Sequence, residues 1–221
     1  MSFKDWQLLE STSQVNRSQF LLTKEEIEQW LKDTVKIKGD YVINDDMTVD
    51  VKGDVGIKNM SIKKIEVKFN EVSGDFNCYE CKSLTSLEGA PKTVGGNFSC
   101  GYCTSLTTLE GAPKTTDGYF SCYDCTSLKS LEGIPMKIEG IIDLDKTPFS
   151  KLKKELNKHK ELLPLYSVGF TKDNYKEPEM QEKLKKLGVE HKVSWSILDS
   201  YILDTNIGGS RRSMAKLKKG F

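Results

Sequence analysis

Between residues 74 and 139 the chain repeats itself every 22 residues without a gap, and no other feature narrows its fold as far. GDFNCYECKSLTSLEGAPKTVG (74–95) is followed by GNFSCGYCTSLTTLEGAPKTTD (96–117) and GYFSCYDCTSLKSLEGIPMKIE (118–139). A fourth copy begins as GIIDLDKTPFSKL (140–152) and then departs. A degenerate copy one residue shorter, GDVGIKNMSIKKIEVKFNEVS (53–73), precedes the others. A fixed period gives equivalent residues equivalent surroundings. One such unit cannot bury its apolar face alone, so the copies must stack into a continuous core.

The spacing inside each copy says how they stack. Phe76, Cys78, Cys81, Leu84 and Leu87 recur as Phe98, Cys100, Cys103, Leu106 and Leu109, and again as Phe120, Cys122, Cys125, Leu128 and Leu131. Phe76 and Cys78 alternate with Asp75 and Asn77, the period of a short strand. The leucines then cover the core, and Glu88-Gly-Ala-Pro91 breaks regular structure and returns the chain to the next strand. A 22-residue period lies in the range of leucine-rich repeats. The expected architecture is therefore an α/β repeat, a short leucine-rich-repeat solenoid over 53–152. A leader (1–22), a helix and hairpin cap (23–52), a mixed or helical capping or effector region (153–205) and a basic tail (206–221) complete it.

Six cysteines spaced C-x2-C-x18-C-x2-C-x18-C-x2-C invite a zinc reading. The residues around them repeat at the same period, however, so the CxxC spacing is inherited from the repeat. In the terminal copies Ile57 and Leu144 stand at the first cysteine position, and Met60 and Thr147 at the second. Ile and Leu do not replace metal ligands, but they do replace small core residues. The expectation is a structural ladder with no metal and no cofactor; zinc stands as the alternative.

Outward strand positions are the candidate binding surface. They are Asp75, Asn77, Tyr79 and Glu80, then Asn97, Ser99, Gly101 and Tyr102, then Tyr119, Ser121, Tyr123 and Asp124, then Ile141, Asp143 and Asp145. Four of the eight tyrosines fall in this set, and tyrosine is enriched at interfaces. The set holds Asp and Glu but no Lys or Arg. The expectation is a mildly acidic, aromatic concave face that recognises a protein patch containing basic residues, through Asp75, Asn77, Tyr79, Glu80, Tyr102, Tyr119, Tyr123 and Asp124. The bland alternative is an ordinary hydrophilic sheet surface.

Catalysis has no such signal. His159 and His191 sit in no motif, and phosphate-cradling, nucleophile-elbow and HExxH patterns are absent from the sequence. A non-enzymatic chain is expected, with a small enzyme in the C-terminal third as a competing reading. No apolar run approaches the ~20 residues that span a bilayer, so no membrane partner is expected.

The flanks carry their own signals. Thr23-Lys-Glu-Glu26 is a capping box that opens a helix running to about Thr34, with Ile27, Trp30 and Leu31 on its apolar face. Residues 150–162 show helical spacing of Leu152, Leu156 and Leu163, with Pro164 as its end. Residues 166–170 read as a short strand, and 178–187 as a helix with Pro at its start and Gly188 after its end. The tail carries Arg211, Arg212, Lys216, Lys218 and Lys219 and no acid, which makes it a nucleic-acid handle on one reading and a solvated end on the other.

The phrase SLTSLEGAPKTVGGNFSC, with YVINDDMTVDVKGD (41–54) upstream, resembles leucine-rich-repeat proteins of large tailed, T-even-like phages. The likeness covers about 23–152. It implies an architecture and a setting in the host bacterial cytoplasm, with a host or phage protein as partner. Many relatives carry Asn where this chain has the ladder cysteine. The first ten residues resemble the capsid-targeting peptide of internal head proteins, which the prohead protease cuts after Leu/Ile-x-Glu. Leu8-Leu9-Glu10 matches, with Ser11 as the new N-terminus, and no other Glu has Leu or Ile two residues before it. That resemblance implies capsid and prohead protease as partners, the virion interior as a second location, and delivery to counter host defence.

Overall fold

The computed structural model of the protein describes residues 22–57, 60–169 and 177–186. It opens with helix α1 (Lys24–Thr34), started by the expected capping box. Thr23 Oγ1 accepts from the Glu26 N–H at 3.2 Å and the Glu26 carboxylate accepts from the Thr23 N–H at 2.9 Å. Ile27 and Leu31 are buried against the body of the protein. Strands β1 (Val35–Ile43) and β2 (Thr48–Ile57) then form an antiparallel hairpin in register from Val35↔Ile57 to Ile43↔Val49. Asp46 closes its turn by accepting from both the N–H and the hydroxyl of Thr48, and those bonds hold its carboxyl below the usual range.

Strand β2 is also the first rung of a parallel β-solenoid. It pairs with β3 (Lys68–Val72) over its first half and with β4 (Phe76–Asn77) over its second. Later coils contribute β5 (Thr93–Val94) and β6 (Phe98–Ser99), β7 (Thr115–Thr116) and β8 (Phe120–Ser121), then β9 (Lys137–Ile138) and β10 (Ile142–Asp143). The sheet runs β10-β8-β6-β4-β2-β3-β5-β7-β9. The two short strands of each coil are halves of one run bent at a glycine, and the ladder continues through the bend. The N–H groups of Gly96, Gly118 and Gly140 each reach the carbonyl of the glycine one coil back, at 2.8–2.9 Å. A Cβ on Gly96 would lie 2.3 Å from Asp75 Oδ1, so the bend admits no side chain. The expected boundary near residue 52 is crossed by one continuous strand, so the hairpin cap and the first coil share β2.

Inside, equivalent residues stack. Phe76, Phe98 and Phe120 lie ring on ring at 5.6 and 5.5 Å with planes 6° apart, and Phe69 meets Phe76 edge-on. Cys78, Cys100 and Cys122 form the neighbouring column, ended by Ile57 and Leu144 as expected. Val72, Val94, Thr116 and Ile138 form a third, behind the bend. The paired leucines close the core, and Gly89, Gly111 and Gly133 turn the chain at φ of 93°, 86° and 87°, where glycine alone is unstrained.

The second cysteine column departs from expectation at one end. Cys81, Cys103 and Cys125 are buried and Thr147 extends them, but Met60 is 49% exposed. This position is tied to the backbone by a donor: Cys103 Sγ donates to Cys78 O, Cys125 Sγ to Cys100 O, and Thr147 Oγ1 to Leu144 O. A thioether has no proton to donate.

The C-terminal end is sealed by short helices rather than one long one. A 3-10 turn (Ser150–Leu152), α2 (Lys153–Lys158), a second 3-10 turn (Lys160–Leu162) and α3 (Leu163–Ser167) follow each other. The chain breaks at His159 (φ −129°, ψ 63°). Pro164 lies in the first turn of α3, where its missing N–H costs nothing, instead of ending a helix. Tyr166 and Ser167 are helical, not part of a strand, and Phe170 lies outside the described residues, as does Gly188 beyond α4 (Pro178–Lys186). Asn157 acts as an extra rung for β10. Its Oδ1 accepts from the Ile142 N–H at 2.8 Å and its Nδ2 donates to Ile142 O at 2.7 Å. Among the described residues no helix is long and apolar enough to cross a membrane.

Candidate functional site: a tyrosine-lined groove on the outer sheet face

The outer face of β4, β6, β8 and β10 holds an open groove of about 640 Å³, a size that takes a peptide segment or a small molecule. Its floor is Asn77, Ser99 and Ser121. One wall is the row Tyr79, Tyr102 and Tyr123; the other is Tyr119 and Ile141; Asp143 and Lys153 close one end.

The local sequence builds each part. The floor residues precede a tight turn, and two of them stabilise it: Asn77 Oδ1 accepts from the Tyr79 N–H and Ser121 Oγ from the Tyr123 N–H. The turn then puts one residue per coil in the left-handed region: Glu80, Tyr102, Asp124 and Lys146, at φ from 57° to 63°. In the middle coil Tyr102 occupies that place and Gly101 the one before it. A Cβ on Gly101 would lie 3.2 Å from the Tyr79 ring, so the missing side chain is what lets Tyr79 lie across this coil. Tyr102 thereby meets Tyr79 edge-on at 5.1 Å and Tyr123 at 5.3 Å. Burial, and then its bond with Tyr123, push the Tyr102 hydroxyl above its ordinary pKa.

The opposite wall comes from a different column. Asp54, Asp75 and Asn97 use their side-chain oxygens to accept the N–H of the residue one coil on, at 3.0, 2.7 and 2.9 Å. In the last two coils Tyr119 and Ile141 take that place and project outward, 42% and 65% exposed.

Of the eight residues expected to contact a partner, Asn77, Tyr79, Tyr102, Tyr119 and Tyr123 line the groove. Asp75 does not: its carboxylate is held in the backbone ladder. Glu80 and Asp124 stand at the left-handed positions beside the tyrosine row. Ser99 and Ser121 are buried as its floor. The expectation that the face has no lysine needs correction. Lys153, from α2, reaches Asp143 at 2.9 Å and Asp145 at 2.5 Å, and those bonds, Asp145 first, raise its pKa. Lys146 Nζ lies 4.9 Å from the centroid of the Tyr123 ring. Neither could be found among the strand positions, because one lies beyond the last repeat and the other at the turn of a coil whose sequence has already departed. The processing site at Leu8, Glu10 and Ser11 and the basic cluster of Arg211, Arg212, Lys216, Lys218 and Lys219 lie outside the described residues.

The six cysteines are free and buried. Cys78 Sγ donates to Ser99 O and Cys100 Sγ to Ser121 O, beside the two bonds described above. Burial pushes the Cys81 thiol up to about 12. The contacts with Cys103 and Cys125, together with burial, hold Cys78 and Cys100 well above the ordinary thiol range, and burial does the same for Cys122. These raised thiols are the opposite of the thiolates that nucleophiles and metal ligands require, whereas its bond with Cys100 lowers the Cys125 thiol below the ordinary value. Among the described residues no group of three or more His, Cys, Asp or Glu is placed to hold a metal ion.

No family model matches the chain, and no curated protein or solved structure matches it.

Proposed function

We propose that this chain is a non-enzymatic binding module, a leucine-rich-repeat solenoid that captures a host or phage protein through its tyrosine-lined groove. One observation carries the reading. The exposed large apolar side chains of the described residues are Tyr41, Val42, Met60, Tyr79, Tyr119 and Ile141, and three of these six converge on one groove. With Tyr102 and Tyr123 they form an amphipathic aromatic patch of the kind that anchors interfaces. The setting proposed for it, the cytoplasm of an infected bacterium with packaging in the virion as a route of delivery, rests on the sequence resemblance to phage proteins.

The test is capture from infected-cell extract by the tagged full chain and by Tyr102→Asn/Tyr123→Leu. The double variant should lose at least tenfold of one specific partner. Equal recovery by both proteins would remove the groove from the interface.

A further inference from the structure

We infer that the tyrosine row is a cation-accepting platform, and that the groove selects an extended protein segment carrying arginine or lysine, its charged end lying on the ring of Tyr79 or Tyr102. The inference rests on the groove being the binding site, and adds what it binds.

Three observations converge. The first is that the chain already puts a cation there. Lys146 covers the Tyr123 ring at 4.9 Å, at the C-terminal end of the row, while Tyr79 at the other end is 40% exposed. The face of a tyrosine ring attracts an ammonium or guanidinium within about 6 Å of its centroid. Rings 5.1 and 5.3 Å apart give an elongated side chain more than one such surface.

The second is charge. Asp143 and Asp145 share the single ammonium of Lys153 and Asp124 lies within electrostatic reach of Lys146, but neither Glu80 nor Asp124, at the left-handed positions flanking Tyr102, makes a salt bridge among the described residues. Carboxylates thus outnumber ammonium groups beside the aromatic row, a balance that complements a basic ligand and repels the phosphates of a nucleic acid.

The third is backbone strain. Tyr102 has φ 59°, a conformation that suits Gly, Asn or Asp and disfavours a bulky aromatic residue. Asn or Asp would relax it, and the neighbouring coil has Asp124 there. A residue held against local preference, on the surface, in contact with both rings of the row, points to a role for its ring outside folding.

The test compares two labelled peptides on the full chain by fluorescence anisotropy at low salt: Gly-Arg-Gly-Arg-Gly-Arg and the same peptide with citrulline, the neutral isostere, for arginine. The expected result is at least tenfold tighter binding of the arginine peptide. Tyr102→Asn keeps every carboxylate and should weaken that binding at least fivefold without lowering the melting temperature. Lys146→Asn, which removes the internal competitor, should tighten it. Equal binding of the two peptides overturns the inference, as does tight binding of a neutral oligosaccharide, cellotetraose, with no arginine preference. So does arginine binding that Glu80→Gln/Asp124→Asn abolishes but Tyr102→Asn leaves intact, which is diffuse charge attraction. If the peptides bind equally while Tyr102→Asn/Tyr123→Leu still loses its partner, the groove stands and only its cation preference falls. If partner capture survives that double variant, the groove reading itself falls.

Discussion

The inner and outer faces of the same strands obey different rules. Facing in, the coils are nearly copies: Phe76, Phe98 and Phe120 in one column, Cys78, Cys100 and Cys122 in the next. Facing out, one column reads Asp75, Asn97, Tyr119, Ile141 and another Tyr79, Gly101, Tyr123, Asp145. An inward residue has its own equivalent as nearest neighbour on both sides, so a change in one coil leaves a void or a clash in two others. Outward positions lack that constraint, and there the coils diverge. The divergence has a direction along the solenoid. The N-terminal coils spend the Asp54–Asp75–Asn97 column on satisfying the backbone, whereas the later coils release it to Tyr119 and Ile141, which wall the groove.

The contrast can be broken from the inside. Phe98→Ala removes the middle ring of the stack and should cost about 3–5 kcal/mol in chemical denaturation; a loss under 1 kcal/mol would mean that the stack is not the core. Asp75→Ala is a harder case, because its side chain was expected to face a partner and instead accepts the Asn97 N–H at 2.7 Å. It should lower stability by about 1–2 kcal/mol and leave partner capture intact; the reverse pattern would return Asp75 to the interface. Thr116 sharpens the rule for inward columns. It sits between Val94 and Ile138, fully buried, with its hydroxyl unpartnered. Thr116→Val should therefore stabilise the fold by about 1 kcal/mol, seen as a higher denaturation midpoint. The smallest effect is one of pH. Thiols raised above their ordinary value of 9.0, Cys81 to about 12, bind protons more tightly folded than unfolded. Their contribution is whole below pH 9 and is lost as pH climbs from 9 towards 12. Melting curves should show a decline over that window that is reduced in Cys81→Ala.

What could be read from the chain follows the same division. Inward residues repeat, so the period exposed the Phe, Cys and Leu columns and the Glu-Gly-x-Pro break that ends each coil. It also marked Ile57, Leu144 and Thr147 as substitutes. Met60 failed because register assigned it to a column that bonds the backbone, and a thioether has no proton to donate there. Outward residues do not repeat, and only their strand phase was legible. That phase found Asn77 and the four tyrosines of the groove. It could not tell that Asp75 turns back to the main chain, or that Lys153 folds over Asp143 from a helix outside the repeat. The region after residue 150 lacks periodicity of its own. Its break at His159, and the place of Pro164 inside a helix rather than at the end of one, accompany the closing of the solenoid's end through Asn157, a tertiary demand without a local signature.

The claim that the inner columns carry the fold and the outer tyrosines carry recognition is tested most directly by measuring stability and partner capture together on Tyr102→Asn/Tyr123→Leu. The expected result is a denaturation midpoint within about 1 kcal/mol of wild type and at least a tenfold loss of the specific partner. Undiminished capture, or capture lost only because the fold has collapsed, would contradict it.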